Sequence, residues 1–299
     1  MKIITPELVR SFFPGRPQDA NKGSFGRVLV VAGSQMMTGA GVLCAKSALK
    51  AGAGLVVLAL PKSCQRTAAC QVPEMLTLPL AETPDGVVSE EAIPALNRFI
   101  TSYQIDLLVI GPGLGDAAFV APFLKNCPLP AVIDADALNQ IAKQNALGTL
   151  FPREAPCICT PHPGEMRRLI DEEISSDESV RARQAAMLAR ATGGVCVLKG
   201  HETVVSYGGD ALKNTTGGPA LAKAGTGDIL CGMAAGFWAQ LGKARAFDGQ
   251  TALEAAVCGV YLHGLSGDLA AADLTDFCVL AGDLLQYLPA AVKQILQAD

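Results

Sequence analysis

Six short apolar runs, rich in Val, Ile and Leu, recur between residues 27 and 199, each bounded by Gly, Pro or Asp. They barely alternate between apolar and polar residues, which is typical of strands buried on both faces of a parallel sheet. Helix-like segments such as Ala40 to Ala51 and Val180 to Thr192 lie between most of them. This pattern predicts an α/β fold with a mainly parallel central sheet and helices on both faces. The predicted strands are Arg27 to Val31, Leu55 to Leu60, Leu107 to Ile110, Ala131 to Asp134, Pro156 to Thr160 and Val195 to Lys199.

The last third of the sequence predicts a hairpin followed by long helices. Two short segments flank Tyr207-Gly208-Gly209-Asp210, whose central glycines are typical of a tight hairpin turn. Half of the 299 residues are hydrophobic, which is enough for one large core, and no repeat or linker marks a boundary. We therefore predict a single domain over residues 1–299. The hairpin strands are predicted at Thr203 to Ser206 and Ala211 to Lys213, and the helices at Thr226 to Leu241, Thr251 to Ser266 and Ala281 to Gln297.

Charge and cysteine usage argue against several classes of function. The formal net charge is −4 without a basic stripe, so no nucleic-acid partner is expected. No N-terminal signal core and no apolar stretch of bilayer length occur, so we expect a cytoplasmic protein without membrane contact. Ten cysteines without a CxxC pair, beside three histidines, favour buried reduced thiols over a zinc site. Those in apolar or Ala/Gly-rich segments are Cys44, Cys196, Cys231, Cys258 and Cys278.

Polar or flexible residues follow five of the predicted strands. In open parallel sheets, ligands bind beyond the carboxyl ends of the strands, where such residues meet. Turn formation alone would explain Gly or Asp at a single strand end, but their presence at all five predicts a ligand site. The segments are Gly33-Ser34, Gly111 to Gly115, Asp134 to Asn139, Thr160 to Glu165 and Lys199 to His201.

A glycine-rich segment before the helix at Thr226 predicts an anion site. The first amides of a helix lack intrahelical acceptors, and Gly225 and Gly227 let the backbone approach a phosphoryl group closely. Asp228 in the first turn would accept a proton from a substrate hydroxyl that attacks phosphorus. The alternative is that Asp228 only caps the helix. No Walker A loop and no GxGxxG after a strand occur, which argues against a P-loop enzyme and a Rossmann dehydrogenase.

Three more residues at the strand ends leave alternatives open. His162 lies between two prolines, which argues against regular helix or central strand and favours a rigid loop that presents the imidazole to a ligand. Glu165 either caps the next helix or helps to hold magnesium through water. Lys199 ends a buried strand and needs a polar partner, which is either a nucleotide phosphate or a carboxylate.

These segments together resemble the ADP/ATP-dependent NAD(P)H-hydrate dehydratases. The motifs follow the family's order over about residues 20 to 285, although Gly-Thr-Gly-Asp alone marks the whole ribokinase-like superfamily. The segments that carry the resemblance are Lys22 to Val30, Thr38 to Ala40, Gly111 to Gly115, Asp134 to Asn139, Thr160 to Glu165, Val197 to Gly200 and Gly225 to Asp228.

The resemblance implies a three-layer ribokinase-like fold without the lid of sugar kinases. It implies that ADP or ATP, with Mg²⁺, phosphorylates the 6-hydroxyl of the S form of NADH or NADPH hydrate, and that phosphate elimination restores the nicotinamide double bond. The implied dinucleotide contacts are Ala40, Gly113, Gly115, His162 and Asp228. The implied nucleotide contacts are Lys199, Gly200, His201, Glu202, Thr203 and Gly227, and the catalytic segment is Gly225, Thr226, Gly227 and Asp228.

Two positions qualify the resemblance. Met37 stands where the family often has an aromatic residue, and would pack differently on a ligand ring. Lys223 lies beside the predicted anion site and either assists phosphate binding or faces solvent. About twenty residues precede the first family motif, so we expect a dehydratase alone, with a separate epimerase in the same pathway. The resemblance also suggests a homotetramer, and ADP as the nucleotide if the chain is bacterial.

Two other functions compete with this interpretation. A kinase of the same superfamily, acting on a hydroxymethylpyrimidine or a hydroxyethylthiazole, would share the Gly-x-Gly-Asp chemistry and leave a stable phosphorylated product. The Pro-His-Pro-Gly-Glu and Lys-Gly segments favour the dehydratase over that kinase. A non-catalytic nucleotide-binding regulator is the second alternative, and the intact Asp228 argues against it.

Overall fold

One ten-stranded sheet forms the centre of the computed structural model, which describes residues 1–297. Its strands are β1 Lys2–Ile3, β2 Arg27–Val31, β3 Leu55–Pro61, β4 Leu76–Leu80, β5 Leu107–Ile110, β6 Ala131–Ile133, β7 Cys157–Cys159, β8 Val195–Leu198, β9 Val204–Tyr207 and β10 Asp210–Lys213. They lie in the order β1-β10-β9-β8-β7-β6-β5-β2-β3-β4. All pairs from β4 across to β8 are parallel, and β9 is antiparallel to both of its neighbours. The mainly parallel sheet is confirmed; the last two residues of the predicted domain lie outside the described part.

Helices cover both faces of the sheet, which gives the predicted three layers. One face carries α1, α2, α10, α11 and α12, and the other carries α4 to α6 and α9. Within residues 1–297, the α-helices are α1 Pro6–Phe12, α2 Thr38–Lys50, α3 Gln65–Ala69, α4 Ile93–Tyr103, α5 Val120–Asn126, α6 Ala135–Lys143, α7 Leu147–Leu150, α8 Pro163–Ile170, α9 Glu178–Thr192, α10 Thr226–Ala244, α11 Gly249–Cys278 and α12 Leu284–Gln297. Short 3₁₀ helices lie at Lys22–Phe25, Lys62–Cys64, Glu90–Ala92, Pro219–Leu221 and Ala281–Asp283.

Strand β2 shows why the apolar runs do not alternate. Val28 and Val30 pack into the layer of α2, α10 and α11, whereas Leu29 and Val31 pack into the layer of α4 to α6. All four side chains are fully buried. Burial of each such side chain contributes about 1.5–3 kcal/mol, so both faces of the strand must be apolar.

All six predicted strands and the hairpin are present, with small differences at their ends. The strands at Arg27–Val31 and Leu107–Ile110 have the predicted bounds. Asp134, Thr160 and Lys199 were predicted inside strands, but each lies just beyond its strand and is therefore part of the edge. The hairpin turns at Gly208 and Gly209, whose φ angles are +61° and +104°.

Helices α2 and α10 pack closely in parallel through small residues. A Cβ atom at Gly232 would lie 2.1 Å from the carbonyl oxygen of Cys44, and one at Gly236 would lie 2.5 Å from that of Ala48. Both contacts pair residues that are four apart on each helix, so the two helices share one register. The start of α10 is thereby fixed over the carboxyl edge of the sheet, next to the start of α2.

The long helices and two cysteines differ from the predictions. Helix α11 extends well past Ser266 to Cys278, with a non-helical residue at Thr275. The predicted helix from Ala281 is a 3₁₀ turn followed by α12. Cys278 was expected to be buried but is exposed because it lies at the free end of α11, and Cys70 is exposed as well. Within residues 1–297, no helix combines the length and apolar character needed to cross a membrane.

Candidate active site

A buried ion pair joins two strand ends at the carboxyl edge of the sheet. Asp134 follows β6 and Lys199 follows β8, with β7 between them. The Nζ atom of Lys199 lies 2.6 Å from Oδ1 of Asp134 and 4.0 Å from Oε2 of Glu165. Of the two partners that the sequence left open for Lys199, the structure shows the carboxylate.

The Lys199 side chain stays protonated within this pair. Burial lowers the pKa of Lys199, but the carboxylates of Asp134 and Glu165 outweigh burial, so its pKa is raised above the ordinary value. Removing one partner of such a buried pair typically costs about 3–5 kcal/mol, because the other charge is left uncompensated. Lys199 is therefore held in place by the protein before any ligand binds.

Helix α10 begins without a side-chain cap. Gly225 is its N-cap residue with a φ of +90°, and no side chain accepts from the first amides. A Cβ atom at Gly225 would lie 2.8 Å from Cδ1 of Leu43 and 3.0 Å from Cβ of Ala281. The Thr226 hydroxyl instead donates to the carbonyl oxygen of Lys223, at 2.9 Å. The amides of the first turn thus face no side-chain acceptor, which is the condition for an anion site.

Asp228 lies in that first turn, and its carboxyl group forms no hydrogen bond with any residue among 1–297. It therefore does not cap the helix, and the capping alternative is wrong. Burial raises the pKa of Asp228 to about 7, with Asp134 adding to the shift and Lys199 opposing it. A carboxyl group that titrates near neutrality and has no protein partner is suited to act as a general base.

A cavity of about 500 Å³ lies on one side of the start of α10. Such a volume suits a nucleotide-sized ligand. All of the residues that the resemblance implies for the nucleotide line this cavity. They are Lys199, Gly200, His201, Glu202, Thr203 and Gly227, and the opposite wall includes Val260, His263 and Gly264.

Ala40, Gly113, Gly115 and His162, which the resemblance implies for the dinucleotide, do not line this cavity. A Cβ atom at Gly113, whose φ is +64°, would lie 2.7 Å from the Cβ of Ala40. The shared register of α2 and α10, continued one turn toward their starts, brings Ala40 level with Asp228. The amide of Gly115 donates to Oδ2 of Asp136 at 2.8 Å. Gly115 is half-buried and Gly113 is buried, so Gly115 is the more accessible glycine of the two.

His162 lies in the short connection between β7 and α8, and its side chain caps that helix. Its Nδ1 accepts from the amides of Gly164 and Glu165, at 2.9 and 3.3 Å, and its Nε2 lies 3.2 Å from Oε1 of Glu165. Pro163 is the first residue of the helix, a position that needs no amide hydrogen bond. The loop predicted at His162 is confirmed, but it is short, because Pro163 and Gly164 are already helical. The ring is half-exposed, with Nδ1 bonded to two amides and Nε2 next to Glu165.

Glu165 completes the cap of α8. Its Oε2 accepts from the amide of His162 at 2.8 Å, so both carboxylate oxygens are occupied. Burial raises the pKa of Glu165 to about 7, against the effect of Lys199. Of the two roles that the sequence left open for Glu165, the structure shows the cap.

The magnesium contact suggested for Glu165 stays a prediction, and three of the carboxylates at this edge already have protein partners. Magnesium prefers oxygen ligands, and four carboxylates lie near each other. Asp134 is bonded to Lys199, Asp136 to the amide of Gly115, and Glu165 to His162. In the part of the chain that the structure describes, no three His, Cys, Asp or Glu side chains are arranged to hold a metal ion.

Several residues of the site were not singled out by the sequence. Asp134 and Asp136 were part of a strand-end segment but carried no assigned role. His263 lies in the mostly buried middle of helix α11, where the sequence gives no signal for a site, and its Nε2 donates to the carbonyl oxygen of Thr226 at 2.9 Å. Lys223 was expected either to assist phosphate binding or to face solvent. Its Nζ instead donates to the carbonyl oxygen of Phe277 at 2.6 Å.

Residues 28–290 match the family model described as NAD(P)H-hydrate dehydratase. The chain belongs to the NAD(P)H-hydrate dehydratase family. The motifs that carried the resemblance therefore identified the family correctly.

Individual relatives agree with this assignment. A bifunctional NAD(P)H-hydrate repair enzyme from Moorella thermoacetica is 40% identical over 300 residues, which cover 98% of this chain and 54% of the relative. The chain thus spans about half the length of that bifunctional relative. An ADP-dependent (S)-NAD(P)H-hydrate dehydratase from Cenarchaeum symbiosum is 33% identical, with 98% of this chain and 97% of the relative covered.

The fold is shared with a solved member of the family. The ADP/ATP-dependent NAD(P)H-hydrate dehydratase from Bacillus subtilis, co-crystallised with ATP and Mg²⁺, superposes with a TM-score of 0.79. It is 30% identical, and 98% of each chain is covered. The ribokinase-like fold is confirmed, and the matches favour a dehydratase over the kinase and the regulator.

Proposed function

We propose that the chain dehydrates the S form of NADH or NADPH hydrate at the expense of a nucleotide phosphoanhydride. The observation that carries this proposal is the placement of Asp228. Its carboxyl group has no protein partner and lies in the uncapped first turn of α10, where Thr226 and Gly227 line the 500 Å³ cavity. The register of α2 and α10 brings Asp228 level with Ala40. A base between two ligand sites suits transfer of a phosphoryl group from one ligand to a hydroxyl of the other.

In the first step, Asp228 accepts the proton of the substrate 6-hydroxyl. The oxygen attacks the terminal phosphorus of the nucleotide, and the bond from that phosphorus to the leaving nucleotide breaks. Negative charge on the phosphoryl oxygens is stabilised by the first-turn amides of α10. The Lys199 ammonium, fixed by Asp134, adds positive charge on the same side.

In the second step, the C–O bond to the new phosphate breaks with its electron pair. A proton leaves the neighbouring ring carbon, and the electrons of that C–H bond form the nicotinamide double bond. The sum is loss of water from the substrate and cleavage of one phosphoanhydride, with free phosphate as a product. Magnesium bound with the nucleotide phosphates would supply further positive charge there.

The proposal is tested by incubating the protein with NADH hydrate, magnesium and either ADP or ATP. We expect absorbance of reduced nicotinamide to recover only when a nucleotide is present, with free phosphate released in equal amount. ADP is our expected donor. Absence of recovery with both nucleotides would overturn the proposal, and a stable phosphorylated product without phosphate release would indicate a kinase instead.

The proposal includes a cytoplasmic homotetramer that works alongside an NAD(P)H-hydrate epimerase activity. The family resemblance supports the tetramer, and the names of the bifunctional relatives are in keeping with a second repair activity near this one. Light scattering on the purified protein tests the tetramer, because a mass of one chain would contradict it.

A further inference from the structure

The loop from Lys199 to Thr203 separates two cavities. On one side lies the 500 Å³ cavity beside the start of α10. On the other lies a second cavity of about 310 Å³, whose wall includes Arg181 and Lys213. The loop residues that line both cavities are Gly200, His201 and Glu202. A single stretch of backbone therefore lies between the two cavities. Contacts made in the smaller cavity influence which backbone groups of the loop face the larger one.

Arg181 holds this loop from the far side. It lies in the first turn of α9, and its Nη1 donates to the carbonyl oxygen of His201. Its Nη2 lies 3.4 Å from the carbonyl oxygen of Leu198. A Cβ atom at Gly200 would lie 3.1 Å from Nη2, so the guanidinium packs directly against the loop backbone. The side chain thus spans the loop from the end of β8 to His201.

The direction of one peptide group follows from this contact. In a trans peptide, the carbonyl of one residue and the amide of the next point in opposite directions. Because Arg181 binds the His201 carbonyl, the amide of Glu202 points away from Arg181, and Glu202 lines the 500 Å³ cavity. The Arg181 guanidinium therefore sets the direction of the Glu202 amide without contacting it.

The loop needs such support because its backbone is unfavourable on its own. Glu202 has a φ of +51°, a left-handed conformation that costs a non-glycine residue about 1 kcal/mol or more. An ion pair also holds Glu202, since Nζ of Lys213 lies 3.3 Å from Oε2 of Glu202 and 3.1 Å from Oε2 of Glu178. The first turn of α9 thus secures the loop twice, once directly through Arg181 and once through Lys213.

We propose that Arg181 is a positioning residue for nucleotide binding, which fixes the loop so that the Glu202 amide donates to the adenine nucleotide. This inference rests on the proposed function, because it takes the 500 Å³ cavity as the nucleotide site. Arg181 lines the other cavity and does not contact the reacting atoms. Its loss should weaken nucleotide binding and leave the chemical step intact.

The test compares Arg181→Met with Arg183→Met. Arg183 lies two residues further on α9 and bonds to the half-buried Glu172, and no hydrogen bond joins it to the loop. Calorimetry with ADP should show about tenfold weaker binding for Arg181→Met, equivalent to one lost charge-assisted hydrogen bond. Steady-state kinetics should show KM for the nucleotide raised by a similar factor, with kcat and KM for NADH hydrate within about twofold. Arg183→Met should match the wild type.

Arg181→Lys is a second test variant, since it keeps the positive charge but has a single donor nitrogen in place of the two that Arg181 uses. Its affinity for ADP should lie between those of the wild type and Arg181→Met. Unchanged ADP affinity in Arg181→Met would overturn the inference, as would equal losses in kcat and both KM values together with a lower Tm. Calorimetry with ADP needs no turnover, so wild-type protein that binds ADP but restores no NADH would refute the proposed function and leave the role of Arg181 testable.

Discussion

Helices α8 and α10 both begin at the carboxyl edge of the sheet, yet their first turns are built in opposite ways. Helix α8 is closed by its own residues, since His162 and Glu165 satisfy each other and the first amides. Helix α10 begins at Gly225 with no side-chain cap. Each first turn carries a carboxyl group whose pKa is raised to about 7 by burial, the buried Glu165 in α8 and the half-buried Asp228 in α10.

A raised pKa does not by itself identify the base. Both carboxyl groups titrate near neutrality because they are buried, but the two oxygens of Glu165 are held by His162 and those of Asp228 have no protein partner. The closed turn serves the fold, and the open turn is left for a ligand. The four predictions below test this assignment.

The largest expected effect is on turnover in Asp228→Asn. The amide cannot accept the hydroxyl proton, so kcat should fall at least ~100-fold while the fold is retained. Circular dichroism and the NADH hydrate assay measure the two properties. Asp276→Asn, at an exposed position, is the matched control and should behave as wild type. Near-normal turnover in Asp228→Asn would remove Asp228 from the mechanism.

Gly225→Ala should disrupt the open turn itself. The new Cβ would lie 2.8 Å from Leu43, at a residue whose φ is +90°. We expect the free energy of unfolding to fall by about 2 kcal/mol, and turnover to fall with it, because the amides of the turn must move. Gly148→Ala is the control, since a Cβ there meets nothing within 4 Å. Equal urea midpoints for the two variants would contradict a strained turn at Gly225.

The pH dependence should report Asp228 directly. The base must be ionised, so kcat should fall about tenfold from its plateau by pH 6, given a pKa of about 7. The raised pKa also means that ionising Asp228 destabilises the fold, so this contribution to stability is lost as pH rises from about 4 to about 7. Asp228→Asn should therefore gain stability over the wild type at pH 8, and the gain should vanish at pH 4. A gain that is independent of pH would show that Asp228 is not the titrating group.

The smallest effect is expected at the closed turn. His162→Ala removes the cap of α8 and should lower the free energy of unfolding by about 1 kcal/mol. Asparagine is also a good cap, so His162→Asn should recover most of that stability. If the imidazole ring also contacts the dinucleotide, KM for NADH hydrate should rise in both variants. A normal KM in His162→Asn would limit His162 to its structural role.

The sequence predicted the fold well where the signal is local. Buried parallel strands such as β2 need apolar residues on both faces, so each strand is visible as one uninterrupted run. The edge strand β4 was missed because it is half-exposed and contains Thr77 and Pro79. The start of α10 was also readable, because Gly225 and Gly227 next to Asp228 form a local pattern.

The contacts that complete the site were not readable in this way. Asp134 and Lys199 are 65 residues apart, and only the order of β6, β7 and β8 brings them together. The partner of Lys199 was therefore left open between a carboxylate and a phosphate. Arg181 gave no signal at all, because its role depends on where α9 lies relative to the loop after β8.

The close contact between α2 and α10 has a consequence for how ligands are selected. Ala40 belongs to α2 and Asp228 to α10, and the glycines at positions 232 and 236 lock the two helices at one spacing. The separation between Ala40 and Asp228 is thus fixed by the packing of the two helices. Because the two helices are fixed relative to each other, we expect a change in substrate preference to come from side chains at the carboxyl edge of the sheet rather than from movement of the helices.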